Sequence, residues 1–239
     1  VNFNYRVLHQ AMREDVPLLE RVKFLGISFS NLNEFIAVRF SSVLEGFLSD
    51  SKEPDDCGRT NWGKKYNGLL TALMEFKRNQ YGVYNDIMGE LKSKIGVRMY
   101  DNYKDLNDRD SKTMKKYFEE EVLPVLTPVT YDSTKEVPIM EDEELQFLVK
   151  VTDHNETSII MMTVPSMLDR IVKIADKRFI FLEEIIRQNL QSLFVGMKIE
   201  DYIIFKTYKF VTDSLSSDAD KFIIDRMKKY LTDRDFTNN

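Results

Sequence analysis

Pro17-Leu-Leu-Glu-Arg-Val-Lys-Phe-Leu-Gly-Ile-Ser-Phe-Ser-Asn-Leu-Asn-Glu-Phe35, followed by Val38-Arg39-Phe40, decides how this chain is read. Proline is well tolerated in the first turn of a helix, where its missing N–H has no partner to lose. Behind Pro17, Leu18, Val22, Leu25 and Phe29 recur every three or four residues, which is one buried helical face. Ser30 and Asn31 then have the side chains that cap a helix start, and Glu34 sits close to the position of a capping box. From the residues alone, the stretch predicts two helices meeting at Ser30-Asn31. The second carries an apolar stripe of Leu32, Ile36, Phe40, Val43 and Phe47.

Helical spacing extends outward on both sides. Asn4 to Arg13 places Tyr5, Leu8, His9 and Met12 on one face, and residues 49–61, with Pro54, Gly58 and Asn61, read as a loop. From Trp62 the apolar positions Tyr66, Leu69, Leu73, Phe76, Val83 and Ile87, with Gln80 among them, alternate steps of four and three. That is the seam of an antiparallel helical bundle, on a helix of about thirty residues spanning roughly 45 Å. Gly96 closes it.

The pattern then becomes mixed. Ser111 to Leu123 predicts a helix stopped by Pro124, and the chain after Pro128 reads as extended. Glu144 to Val151 and Thr157 to Val164 predict two strands joined by Asp153-His154-Asn155. Phe181 to Val195 predicts a helix ended by Gly196, Ile199 to Val211 a strand, and Ala219 to Leu231 a helix; Pro165 to Ile174 fits neither pattern cleanly. The fold class is therefore α+β: an N-terminal antiparallel helical bundle over 1–98 and a mixed α/β domain over 99–239.

Composition narrows the function classes. The chain has 239 residues, 43% hydrophobic and 31% charged, as expected of an ordinary globular protein. The net charge of −5 hides an asymmetry: 14 basic against 12 acidic residues up to 98, then 20 against 27. An acidic second half argues against broad nucleic-acid binding. A single cysteine, Cys57, excludes an internal disulfide framework, and His9 and His154 have no neighbours at zinc-ligand spacing. No run approaches the ~18 apolar residues of a spanning helix. A cytoplasmic location follows, with peripheral membrane association left open. No Gly-rich phosphate loop of either common type is present. Asp55-Asp56 and Glu141-Asp-Glu-Glu144 read as solvated runs, and Glu119-Glu-Glu121 as surface.

Phe3-Asn4, Arg6-Val7-Leu8, Pro17-Leu-Leu-Glu-Arg21, Phe24-Leu25, Ser30-Asn-Leu32 and Glu34-Phe35 together resemble, in order and spacing, the opening of the large polyphosphate kinases. Asn33 stands where that family usually has aspartate. Val122-Leu-Pro-Val-Leu-Thr-Pro128, Asp132, Val164-Pro165, Arg170, Phe181-Leu-Glu-Glu184 and Leu193-Phe-Val-Gly196 extend the resemblance into the family's head domain. Phe205-Lys-Thr-Tyr-Lys209 replaces the family's arginine-bearing segment, so Lys206 and Lys209 read as surface charges rather than a bidentate phosphate fork.

The resemblance implies an N-terminal helical domain followed by a head domain, in an enzyme that moves the ATP γ-phosphate to a histidine and on to polyphosphate, with Mg2+. It implies that Asn31 contacts the nucleotide and that the head domain pairs two copies into a homodimer. The family's catalytic histidine is expected in later domains, since neither His9 nor His154 has its setting. The segment alone is then expected to be inactive and to bind no cofactor firmly. The alternative is a standalone, non-catalytic interaction module descended from the same family.

Overall fold

The computed structural model describes residues 2–48, 61–131, 144–154 and 156–206. The expected features at Asp55-Asp56, Cys57, Asp132, Glu141 to Glu143, Asn155, Lys209 and Ala219–Leu231 lie outside those residues. The fold is α+β, and the chain divides into two compact units, Val1–Arg98 and Met99–Asn239.

The first unit is helical. Helix α1 spans Asn2–Met12, α2 Leu18–Phe35, α3 Ser41–Leu48 and α4 Trp62–Glu90, with π-helical turns at Ile36–Phe40 and Leu91–Ile95. Pro17 stands just before α2, in extended backbone, and its carbonyl accepts the first helical bond from the Arg21 amide at 3.0 Å. Asn61 caps α4, its side chain accepting from the Lys64 amide at 2.9 Å. Gly96, at φ 74°, ends the last turn in the left-handed region where a Cβ is costly.

Cross-helix pairs fix the direction of packing. Asn4 meets Ser28, and Ala11 meets Arg21, so α1 and α2 run antiparallel. Ser28 meets Gln80, and Arg21 meets Glu90, so α2 and α4 are antiparallel too. The core between them holds Leu8, Ala11, Leu25, Leu32, Leu73, Phe76, Val83, Ile87 and Leu91. Farther along, Phe47 stacks on Tyr66 with centroids 4.5 Å apart, joining α3 to α4. Gly46 permits that approach, because a Cβ there would meet the Trp62 ring at 2.5 Å.

The seam expected from Trp62 onward is present on one unbroken α4, whose buried positions are Leu73, Phe76, Gln80, Val83 and Ile87. Two expectations are corrected. No break or cap occurs at Ser30-Asn31: α2 passes straight through, and the helix start expected there does not exist. On α1 the buried face is Asn4, Leu8 and Ala11, whereas Met12 is 53% exposed. At Ser30-Asn31 the expected cap is absent because the Asn31 side chain finds its partner on another helix, donating to Asn4, instead of on its own backbone.

In the second unit, β1 (Arg98–Tyr100), β5 (Ile171–Ala175) and β6 (Arg178–Phe181) form a sheet in the order β1-β6-β5. Strands β2 (Val129–Tyr131), β3 (Leu145–Asp153), β4 (Glu156–Thr163) and β7 (Lys198–Lys206) form an antiparallel sheet in the order β2-β4-β3-β7. The β3–β4 hairpin pairs Gln146 with Thr163 through Asp153 with Glu156. Helix α5 (Asp108–Tyr117) continues into a π turn at Phe118–Val122, and α6 (Leu182–Gln188) is followed by α7 (Leu190–Leu193).

Alternation on β3 turns Phe147, Val149 and Val151 toward the main core with Phe118, Ile180, Leu182, Ile185 and Ile186. Leu148 lies in a smaller cluster with Tyr131 and Met161. The helix expected over Phe181–Val195 is two pieces, interrupted at Asn189, whose side chain donates to the Ile185 carbonyl at 2.8 Å. Asn and Ser favour such local backbone bonds over a continuing helix. The helix expected from Ser111 starts earlier, at Asp108, because Asn107 caps it by accepting from the Asp110 amide at 2.9 Å.

Candidate functional site

Asn31 lies in the interior of α2, half-buried, with its side-chain amide committed to no cap. Its Nδ2 donates to Asn4 Oδ1 at 3.3 Å. Asn4 is 7% exposed, and its own Nδ2 donates to the Ser28 carbonyl at 2.8 Å. The Ser28 hydroxyl accepts from Gln80 Nε2 at 2.7 Å, while Gln80 Oε1, fully buried, has no partner. Four polar residues from three helices thus form one chain through the bundle. Such a chain is costly unless its members are satisfied, and it fixes helix register where it forms.

The outer end of this chain opens into a slot of about 110 Å³ lined by Phe3, Asn4, Asn31, Leu32, Phe35 and Phe76. Phe76 is fully buried and held edge-on by Tyr5, with centroids 4.8 Å apart. Phe3 is 62% exposed at the rim, with the Arg6 guanidinium 5.4 Å from its ring centre. The slot is well below the roughly 300 Å³ of a closed small-molecule site, so it accommodates a flat edge or a single ring and not a whole nucleotide.

A larger hollow of about 510 Å³ lies by the other end of α1, lined by Met12, Glu14, Arg21, Val83, Asn85, Asp86, Gly89, Glu90 and Ser93. Its cation is already engaged: Arg21 donates to the Ala11 carbonyl and to Glu90 Oε1, each at 2.8 Å, and Lys94 binds Glu90 Oε2 at 2.8 Å. Bonds from Lys94 and then Arg21 hold the Glu90 carboxyl below its usual range. With Glu14 and Asp86 beside it, this hollow repels polyanions. Of these two openings, only the slot at Asn31 is lined by no carboxylate.

His9 lies on the exposed side of α1, and His154, at φ 43°, contacts Asp153 at 2.5 Å in the β3–β4 turn. Lys206 ends β7. Among the described residues no group of three or more His, Cys, Asp or Glu is placed to hold a metal ion, and no helix is long and apolar enough to cross a membrane. The sequence marked Asn31 but not its supports. Gln80, a polar residue on an apolar seam, was the visible signal; Asn4 and Ser28 gave none, since both types are common near helix ends.

The polyphosphate kinase N-terminal domain matches residues 1–100, and the polyphosphate kinase middle domain matches residues 109–238. The chain belongs to the polyphosphate kinase family. It is similar to a polyphosphate kinase of Lactiplantibacillus plantarum, 28% identical over 98% of this chain and 33% of the relative. A polyphosphate kinase of Exiguobacterium sp. is 30% identical over 98% of this chain and 33% of the relative. The chain spans about a third of the length of these curated relatives. Its fold is similar to the crystal structure of polyphosphate kinase from Porphyromonas gingivalis, with TM-score 0.67 and 24% identity over 86% of this chain and 32% of that one.

Proposed function

We propose that this chain is the N-terminal helical and head part of an ATP:polyphosphate phosphotransferase, with the domains divided at residues 98 and 99. In this reading Asn31 contacts the nucleotide. The observation that carries it is the Asn31 amide itself: mid-helix, free of any capping duty, and set in the wall of an aromatic-lined slot. Amides in an apolar bundle cost stability unless they are hydrogen-bonded, and a ligand edge at the open end of the chain would supply a bond to Asn31 beyond the one it makes to Asn4. Phe3 and Phe35 offer flat apolar surface to a base or sugar, and Arg6 places a cation at the rim. Magnesium enters as part of the substrate, MgATP.

Phosphoryl transfer needs a nucleophile with cations around the transferred group. His9 and His154 lack that setting, so the 239 residues alone should form no acid-labile phosphohistidine with γ-labelled ATP and Mg2+; stoichiometric labelling of either would contradict this. Polyphosphate binding is assigned to parts of the enzyme beyond these residues, and pairing of two copies to the head unit, where Met167 and Val195 are 77% and 84% exposed. Sedimentation of Val195→Asp against wild type tests the pairing, and an unchanged dimer would remove Val195 from it.

Photolabelling of the full natural chain with 8-azido-ATP tests the nucleotide assignment. Label is expected on peptides covering residues 2–13 or 30–40 in addition to any catalytic segments. Label wholly absent from both peptides would contradict it.

A further inference from the structure

We infer that Asn4 sets the polarity of the Asn31 amide, so that the slot offers a hydrogen-bond acceptor and selects a donor edge on the nucleotide. The inference rests on the reading that Asn31 meets the nucleotide. A primary amide has two donors on nitrogen and an acceptor oxygen of nearly the same shape, so its direction is decided by its partners. Here the decision starts from the backbone. The Ser28 carbonyl only accepts, and Asn4 Nδ2 donates to it at 2.8 Å. Reversing Asn4 would set two oxygens against each other in a site where Asn4 is 7% exposed.

Asn4 Oδ1 is therefore held toward Asn31 and accepts from its Nδ2 at 3.3 Å. That contact uses one of the two Asn31 N–H groups and turns the nitrogen toward Asn4, so that Asn31 Oδ1, on the side away from Asn4, is the acceptor offered to a ligand. The rest of the wall, Phe3, Leu32, Phe35 and Phe76, has no side-chain polar atom to compensate a mismatch. A ligand that brings an acceptor to this spot leaves two lone-pair groups facing each other. A site built around a hydrogen bond discriminates strongly against such a partner. Two parts of a nucleotide supply the required donor: an exocyclic amine of the base and a ribose hydroxyl.

Equilibrium binding of ATP, inosine triphosphate and 2′-deoxy-ATP to the full natural chain tests this, in wild type, Asn4→Ala and Asn31→Ala. Wild type should bind ATP several-fold more tightly than at least one analogue. A preference over inosine triphosphate assigns the donor to the base amine; a preference over 2′-deoxy-ATP assigns it to the ribose. Asn4→Ala should bring that preference close to unity while weakening ATP binding less than Asn31→Ala does. Equal binding of all three by wild type, or a full preference kept by Asn4→Ala, overturns the role of Asn4. Unchanged ATP affinity in Asn31→Ala is a different failure, that of the nucleotide reading itself. If Asn4→Ala does not fold, the preference must still vanish in Asn31→Ala, and its persistence overturns the inference.

Discussion

The two units bury polar groups in different ways. In the helical unit, Asn4, Arg21, Ser28 and Gln80 reach across helices, linking positions 10 to 69 residues apart. In the head unit, Asn189 bonds the Ile185 carbonyl four residues back, and Asn107 caps the helix that begins beside it, whereas Asp110 pairs with Arg178 and Gln146 accepts from Thr163 across the β3–β4 hairpin. The head core is built on fully buried Phe118, Phe147, Ile180, Leu182, Ile185 and Ile186. Polar groups that end elements serve the fold alone. The polar chain of the helical unit ends at an open slot, and this is why the candidate site is proposed there.

The sharpest way to break this comparison is to remove one large core side chain from each unit. Phe76 and Phe147 are both fully buried, so Phe76→Ala and Phe147→Ala should each cost about 3–5 kcal/mol in denaturant unfolding. Only Phe76 also lines the slot. Phe76→Ala should therefore weaken nucleotide binding by the protein that remains folded, whereas Phe147→Ala should not. Equal effects on binding would dissolve the distinction between the units.

Smaller effects sharpen it. Gly46→Ala presses a methyl into the Trp62 ring and should cost about 1–3 kcal/mol, read as a lower melting temperature. Asn107→Ala removes the cap of α5 and should cost about 1 kcal/mol, with nucleotide affinity unchanged because its effect stays in the head unit.

How much of this was legible in the sequence follows the same division. Apolar periodicity announced α4 and its seam, since Leu73, Phe76, Val83 and Ile87 have only burial to explain their spacing. The β3–β4 hairpin was legible from alternation. The pair Ser30-Asn31 was misread as a helix start, because Ser and Asn have local capping habits that a sequence displays and long-range partners that it does not. Gln80 and Asn4 are 52 and 24 residues from Ser28, the residue that each of them meets. Strand β1, at three residues, is too short to carry a pattern. Asn31 itself was marked only by the family resemblance; its residue type alone pointed to a cap that the structure removes.

The mildest predicted effect concerns acid. The Glu90 carboxyl faces Lys94 and Arg21, with Glu14 and Asp86 lining the same hollow, and its pKa is lowered by the Lys94 bond first and the Arg21 bond second. A carboxyl depressed in the folded state contributes stability that is present above its unfolded value, about 4.3, and lost as pH falls through the depressed one. Thermal unfolding followed from pH 7 to pH 3 should show part of the acid loss disappear in Glu90→Gln. An identical pH profile in that variant would mean the Arg21–Glu90–Lys94 group contributes nothing to the helical unit.

The central claim is that the Asn31 amide is there for a nucleotide. ATP affinity of the full natural chain, measured by calorimetry for wild type and Asn31→Ala, tests it most directly. Loss of one hydrogen bond of roughly 0.5–1.5 kcal/mol predicts a several-fold weaker affinity, with the melting temperature nearly unchanged because Asn31 is only half-buried. An affinity equal to wild type, with the variant folded, would contradict the account and leave Asn31 as a prop for Asn4.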